Sequence, residues 1–194
     1  MIRIEVDQES LRYVQNRLGV MRNKAPQVIA SALNDTARSG RQKLTTGVRA
    51  GYIVKSGAAK SSMKIRRATY GRLQATITAQ GSPIKLEKFK VTAPWSGAKG
   101  QVLKSSGLKA LVNSQGIKAF AAGMSKGHPG SVHNGIYQRR GKSRLPIKSF
   151  YGPSSAKMVE KTYDGEGGAG RAIKPEIEKD LQKNIDRQIK RLVG

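Results

Sequence analysis

Catalysis and metal binding need carboxylates, imidazoles or thiolates gathered in one place, and this chain is poor in all three. Among its 194 residues there is no cysteine, there are two histidines, and 12 Asp and Glu stand against 37 Lys and Arg. Without cysteine there is no disulfide, no thiolate metal site and no cysteine nucleophile. His128 and His133 lie five apart in a glycine-rich stretch with no carboxylate nearby, so a zinc site lacks ligands. Hydrogen bonding to the loop backbone is the role expected of them. A Mg²⁺-dependent nuclease needs clustered carboxylate oxygens. Glu87 is the one acid between residues 36 and 159, so such a site would have to be built from the chain ends. The glycines of 165–170 are followed by no Gly-Lys-Ser/Thr, which separates them from a phosphate-binding loop, and no Ser-His-Asp arrangement can be argued from the spacing. These residues predict no enzyme, no metal and no cofactor.

What the chain has in excess is positive charge, formally +25. The ends are nearly neutral, with five cations to four anions in 1–35 and eight to seven in 160–194. Residues 36–159 carry 24 cations and one acid. Such a block repels itself within the screening length of about 8 Å at physiological salt, so something anionic is expected to face it. Its densest run is Arg139, Arg140, Lys142, Arg144 and Lys148; with Lys64 and Arg66 these are the candidate anion- or DNA-facing patch. Lys64 and Arg66 serve equally to keep a sheet face wet. Two partners suit the block: nucleic acid, which counterion release favours without regard to sequence, or an acidic protein surface in an assembly. It lacks the interleaved aromatics of a single-strand stacking platform and matches no helix-turn-helix, zinc-finger or RNA-recognition pattern. Base-specific reading is not expected, whereas general, non-sequence-specific binding of nucleic acid stays open as an alternative.

The densest cations belong to the stretch that organises the chain, residues 126–154, KGHPGSVHNGIYQRRGKSRLPIKSFYGPS. Its glycines and prolines specify a backbone path. The pattern predicts a short strand over 135–139, a turn over 141–144, an extended piece over 145–147 and a lead-in to a helix at 152–154. The series His133-x-Gly135-Ile136-Tyr137-x-Arg139-x-Gly141-Lys142-x-Arg144-Leu145-Pro146-Ile147, then Tyr151-Gly152-Pro153-Ser154, resembles the hallmark of the bacteriophage minor tail protein Z family, a group related to phage tail-completion proteins. Elsewhere the likeness lies in the order of elements and in Pro83-x-x-Leu86-x-x-Phe89.

The resemblance implies a structural virion protein near the head-proximal end of a phage tail, made in the host cytoplasm. It implies a homo-oligomeric ring, expected to be six-fold, that touches tail terminator, tail tube or head–tail connector proteins. Genomic double-stranded DNA is a further partner on this reading, and the ring is needed for head joining and DNA delivery. His133, Gly135, Tyr137, Gly141, Pro146, Tyr151, Gly152 and Pro153 are the residues expected to define its loop.

The elements that must position these residues read as an α+β fold, an antiparallel sheet packed with two N-terminal helices and a C-terminal amphipathic helix. Ile2, Ile4 and Val6 alternate as a first strand, and Asp7 can cap a helix carrying Leu11, Val14 and Leu18. Pro26 opens a longer helix with Ile29, Leu33, Ala37, Gly40 and Leu44 on one face. Residues 51–62 read as a connector. Met63 and Ile65, then Leu73, Ala75, Ile77 and Ala79, predict a hairpin with Lys64, Arg66 and the threonines on its solvent side. Trp95 stands alone in a Gly-, Ser- and Lys-rich loop, as a core plug or an anchor for another subunit. Residues 108–120 are expected to return to the sheet, and 154–163 to form a helix with Met158 and Val159 inward. Residues 1–164 then form one domain and 165–170 a linker. In 171–194 Ile177, Leu181 and Ile185 lie on a helix that packs on its own sheet or reaches a neighbouring subunit. No signal peptide or apolar run of membrane-spanning length is present, which predicts a soluble chain not exported by the usual route.

Overall fold

A computed structural model describes residues 1–54, 57–94, 96–125, 132–168 and 170–193. Strand β1 (Ile2–Glu5) turns Ile2 and Ile4 inward, and Asp7 caps helix α1 (Gln8–Leu18) by accepting the Ser10 N–H at 2.8 Å. That hydrogen bond holds the Asp7 carboxyl below its ordinary value. Gly19 ends the helix at φ 52°, and a 3-10 turn (Gly19–Lys24) leads into helix α2 (Ala25–Gly51), with Pro26 in its first turn. At 27 residues and 1.5 Å per residue α2 is about 40 Å long. Val28, Ile29, Leu33, Ala37, Gly40, Leu44, Gly47, Val48 and Gly51 are buried at helical spacing, so α2 carries the core along its whole length.

The connector after α2 holds one helical turn, α3 (Ala58–Ser62), before strand β2 (Met63–Arg66). Strand β3 (Gln74–Ala79) is central in the sheet order β1-β3-β2, with Ile2 and Ile65 both opposite Ile77. Its inner residues pack on α2. The solvent side is less open than the alternation predicts: Thr76 is only 8% exposed, because its cross-strand neighbours on either side are the long Arg3 and Arg66.

One sheet is expected from the sequence, but the described residues form four small antiparallel ones. Strand β4 (Pro83–Lys85) is followed by a 3-10 turn (Leu86–Lys88) and by β5 (Lys90–Thr92), β6 (Lys99–Gln101) and β7 (Lys109–Ala110), which make their own sheet in the order β5-β6-β7. Residues 108–120 therefore do not return to the hairpin. Strands of two or three residues, broken by Gly and Pro, are too short to extend a common ladder. Strand β8 (Phe120–Ser125) pairs with β9 (Val132–Arg139), and β9 with β10 (Ile147–Ser149). Strand β11 (Tyr151–Ser154) pairs back to β4.

Ser154 caps helix α4 (Ser155–Asp164) by accepting the Lys157 N–H, and Met158 and Val159 are buried. The glycine run that follows is packed rather than loose. Gly165 caps α4 in the left-handed region at φ 86°, the Gly167 N–H donates to Lys161 O at 2.8 Å, and a Cβ on Gly168 would stand 2.9 Å from Gly51 O. Helix α5 (Lys174–Val193) lies along α2 and shares the same core through Ile177, Ile185 and Ile189. Gly40 permits the close approach of α5 and Gly47 that of α4: Cβ atoms there would meet Ile177 Cδ1 at 3.1 Å and Thr162 Cγ2 at 2.6 Å. The buried Asn184 of α5 donates from Nδ2 to Thr36 Oγ1 at 2.9 Å, and that hydroxyl donates to Ala32 O.

Candidate functional site

The hallmark stretch folds as β9, a turn, β10 and β11. In the β9–β10 register Ile147 stands opposite Arg139, Lys148 opposite Gln138 and Ser149 opposite Tyr137, and the Arg140 N–H donates to Pro146 O at 3.0 Å. The turn between them carries Gly141 at its start, where a Cβ would meet nothing within 4 Å. Phe150 then ties two layers together: its N–H donates to Ile136 O, and its carbonyl accepts the Leu86 N–H at 3.1 Å.

Two of the motif glycines are required by space. At Gly135 a Cβ would come 3.0 Å from the Tyr137 ring and 3.1 Å from Glu87 Oε2, so the lone acid of the basic middle is turned against β9. At Gly152 a Cβ would come 2.5 Å from Phe89 Cε2. The Pro83-x-x-Leu86-x-x-Phe89 motif and the Tyr151-Gly152-Pro153-Ser154 motif thus meet, with Leu86 and Phe89 buried and β11 paired to β4. Tyr137 is buried beside Phe120, ring centroids 6.4 Å apart.

This scaffold holds its cations outward. Arg139, Arg140, Lys142, Arg144 and Lys148 are all exposed, and Lys148 Nζ stands 5.6 Å from the centre of the Phe150 ring. Leu145 and Tyr151 flank them, 66% and 54% exposed. Among the described residues, only Arg38, Lys43 and Lys157 of the 36–159 block reach a carboxylate within ion-pair distance. The remaining pairs join residues of the C-terminal region to one another or to Asp35.

Lys64 and Arg66 are exposed too, but on β2, in a different sheet from Arg139 and Lys148. Ile177 and Ile185 are buried and Leu181 packs on the same core, so the apolar face suggested for a neighbouring subunit is occupied by the chain's own α2. Trp95 and His128 lie outside the described residues, and His133 is placed by its backbone alone, opposite Met124. The spacing gave no warning of Gln138, 1% exposed, whose Nε2 donates to Ile117 O at 2.7 Å and pins β9 to the loop before β8. With His133, Asn134 and Arg139 in the same strand, its polarity did not single it out. Among the described residues no three His, Asp or Glu side chains converge as metal ligands, and no helix is long and apolar enough to cross a membrane.

The chain is an α+β scaffold that displays exposed cations on a glycine- and proline-built turn, and its carboxylates, Glu87 apart, lie toward the chain ends. Residues 12–194 match the family described as prophage minor tail protein Z (GPZ), and the chain belongs to that family of phage minor tail proteins. It is a structural tail component, and other virion components are its setting. No curated protein and no solved structure matches the chain.

Proposed function

We propose that this protein sits at the head-proximal end of the tail as a closed, six-fold ring that completes the tail, helps it join the head and lets DNA pass. Each subunit offers one surface to the next, as cyclic assembly requires. The neighbours on this reading are tail terminator, tail tube or head–tail connector proteins, with double-stranded DNA in the channel. The observation that carries it is the exposed turn of Arg139, Arg140, Lys142 and Arg144, unpaired among the described residues, on a chain of a tail-protein family. On this reading an acidic neighbour pairs with these cations, for which the described residues supply no carboxylate within ion-pair distance.

The test is complementation of a phage lacking the gene with Arg139→Ala/Arg144→Ala. Both side chains are exposed, so the subunit is expected to fold, while the yield of head-joined, infectious particles falls. A normal particle yield removes the turn from the joining surface. Images of purified virions decide the ring separately, by locating the subunit and its copy number.

A further inference from the structure

The described residues gather a second group of cations away from the hallmark turn. Along the exposed side of α2 a depression of about 470 Å³ is lined by Arg38, Arg41 and Arg49, with Lys60 of α3 on its rim. A second depression, about 400 Å³, begins at the same Arg49 and continues past Lys88, Lys90 and Lys104. Four separate pieces of chain, α2, α3, residues 88–90 and Lys104, thus bring seven cations to one trough. Neither depression has an acidic residue in its lining. Only Arg38 has a carboxylate partner among the described residues, Asp35 at 3.3 Å, and Glu87, next in sequence to Lys88, is turned against Gly135 instead.

We infer that this trough binds the phosphate backbone of duplex nucleic acid without reading its sequence. Arg38 and Arg49 are eleven residues apart on α2, a span of about 16 Å, along which a duplex carries roughly ten phosphate charges. Gln42 and Thr46 line the trough between the arginines, and amide, hydroxyl and guanidinium donors are the groups that contact phosphates. The two aromatics of the second depression, Tyr52 and Phe89, are 4% and 7% exposed, so neither presents a ring on which a splayed base could stack. This favours a duplex over a single strand. The inference does not rest on the tail position proposed above, because the trough is complete within one subunit.

The test is fluorescence anisotropy of the purified full-length chain with a mixed-sequence DNA duplex of about 24 base pairs, titrated between about 50 and 300 mM NaCl. Arg41→Gln/Arg49→Gln/Lys88→Gln is expected to lower the slope of log K against log salt by about 2 to 3, since each phosphate contact contributes about 0.9. Lys90→Gln/Lys104→Gln, at two further exposed positions, is expected to lower it by about 2 and guards against loss of fold in the triple variant, which circular dichroism checks. Arg139→Gln/Arg140→Gln/Arg144→Gln is expected to leave the slope near that of the unsubstituted protein. Four results overturn the inference: no salt-dependent duplex binding, trough variants with the original slope, a slope lost only in the turn variant, or trough-dependent binding of polyglutamate without duplex binding. The last assigns the trough to an acidic protein.

Discussion

Gly152 of β11 and Phe89 touch so closely that a methyl group on the glycine would lie 2.5 Å from Phe89 Cε2 and 2.9 Å from Cζ. Through this contact the sheet edge β11-β4 and the 86–89 segment, with Leu86 and Phe89 buried, hold the end of the basic turn in place. The glycine is needed for space, not for backbone conformation, because its φ is not in the left-handed region.

Gly152→Ala is therefore expected to cost about 1–3 kcal/mol in urea unfolding, the range for overpacking a filled core. The same substitution in a Phe89→Leu background should cost less, because the ring edge is gone. Equal costs in both backgrounds would show that the two residues do not interact.

Gly47 sets helix preference against packing. Alanine there improves helix propensity by about 1 kcal/mol, yet its Cβ would stand 2.6 Å from Cγ2 of Thr162, which is 1% exposed on α4. The clash is expected to win, with Gly47→Ala less stable by about 1–2 kcal/mol in thermal or chemical unfolding. Thr162→Ser in that background removes the methyl and keeps the hydroxyl that donates to Met158 O, so it should restore stability. If it does not, α2 and α4 are held apart by something other than this methyl.

Burial raises the phenol pKa of Tyr52, with Glu166 adding to the effect and Lys157 opposing it; burial raises that of Tyr163 as well. A folded phenol that keeps its proton to higher pH contributes stability fully present below the unfolded value of about 10 and lost as pH rises through the folded value. Stability measured in urea should therefore decline across the alkaline limb, and Tyr52→Phe should flatten that decline. An identical alkaline limb in the variant would mean that Tyr52 ionises alike in both states.

The helices and the first hairpin were legible because each rests on a local rule. Period 3.6 in α2, period 2 in β3 and single-residue caps at Asp7 and Ser154 act within a few residues of themselves. Gly165, Gly167 and Gly168 show what local rules leave out. Composition reads the 165–170 run as a flexible linker, but glycines also occur where backbones touch, and Gly168 lies against Gly51 O. The break-up of one sheet into four was equally hidden, since pairing partners such as β4 and β11 stand more than sixty residues apart.

For the candidate sites the division follows the range of the forces. By itself the chain determined that its middle is almost devoid of acid, that the Arg139 to Lys148 cations ride on a glycine- and proline-specified turn, and which residues carry the family hallmark. Composition and backbone preference are properties of the polymer and need no fold. Only the tertiary structure decided that Arg49 of α2 and Lys88, Lys90 and Lys104 of two later segments line one trough, and that Glu87 is turned away toward Gly135. The reason is that packing the apolar sides of α2, Leu86 and Phe89 into the core carries the attached charges to a common surface, and that juxtaposition is written in no stretch of sequence short enough to read.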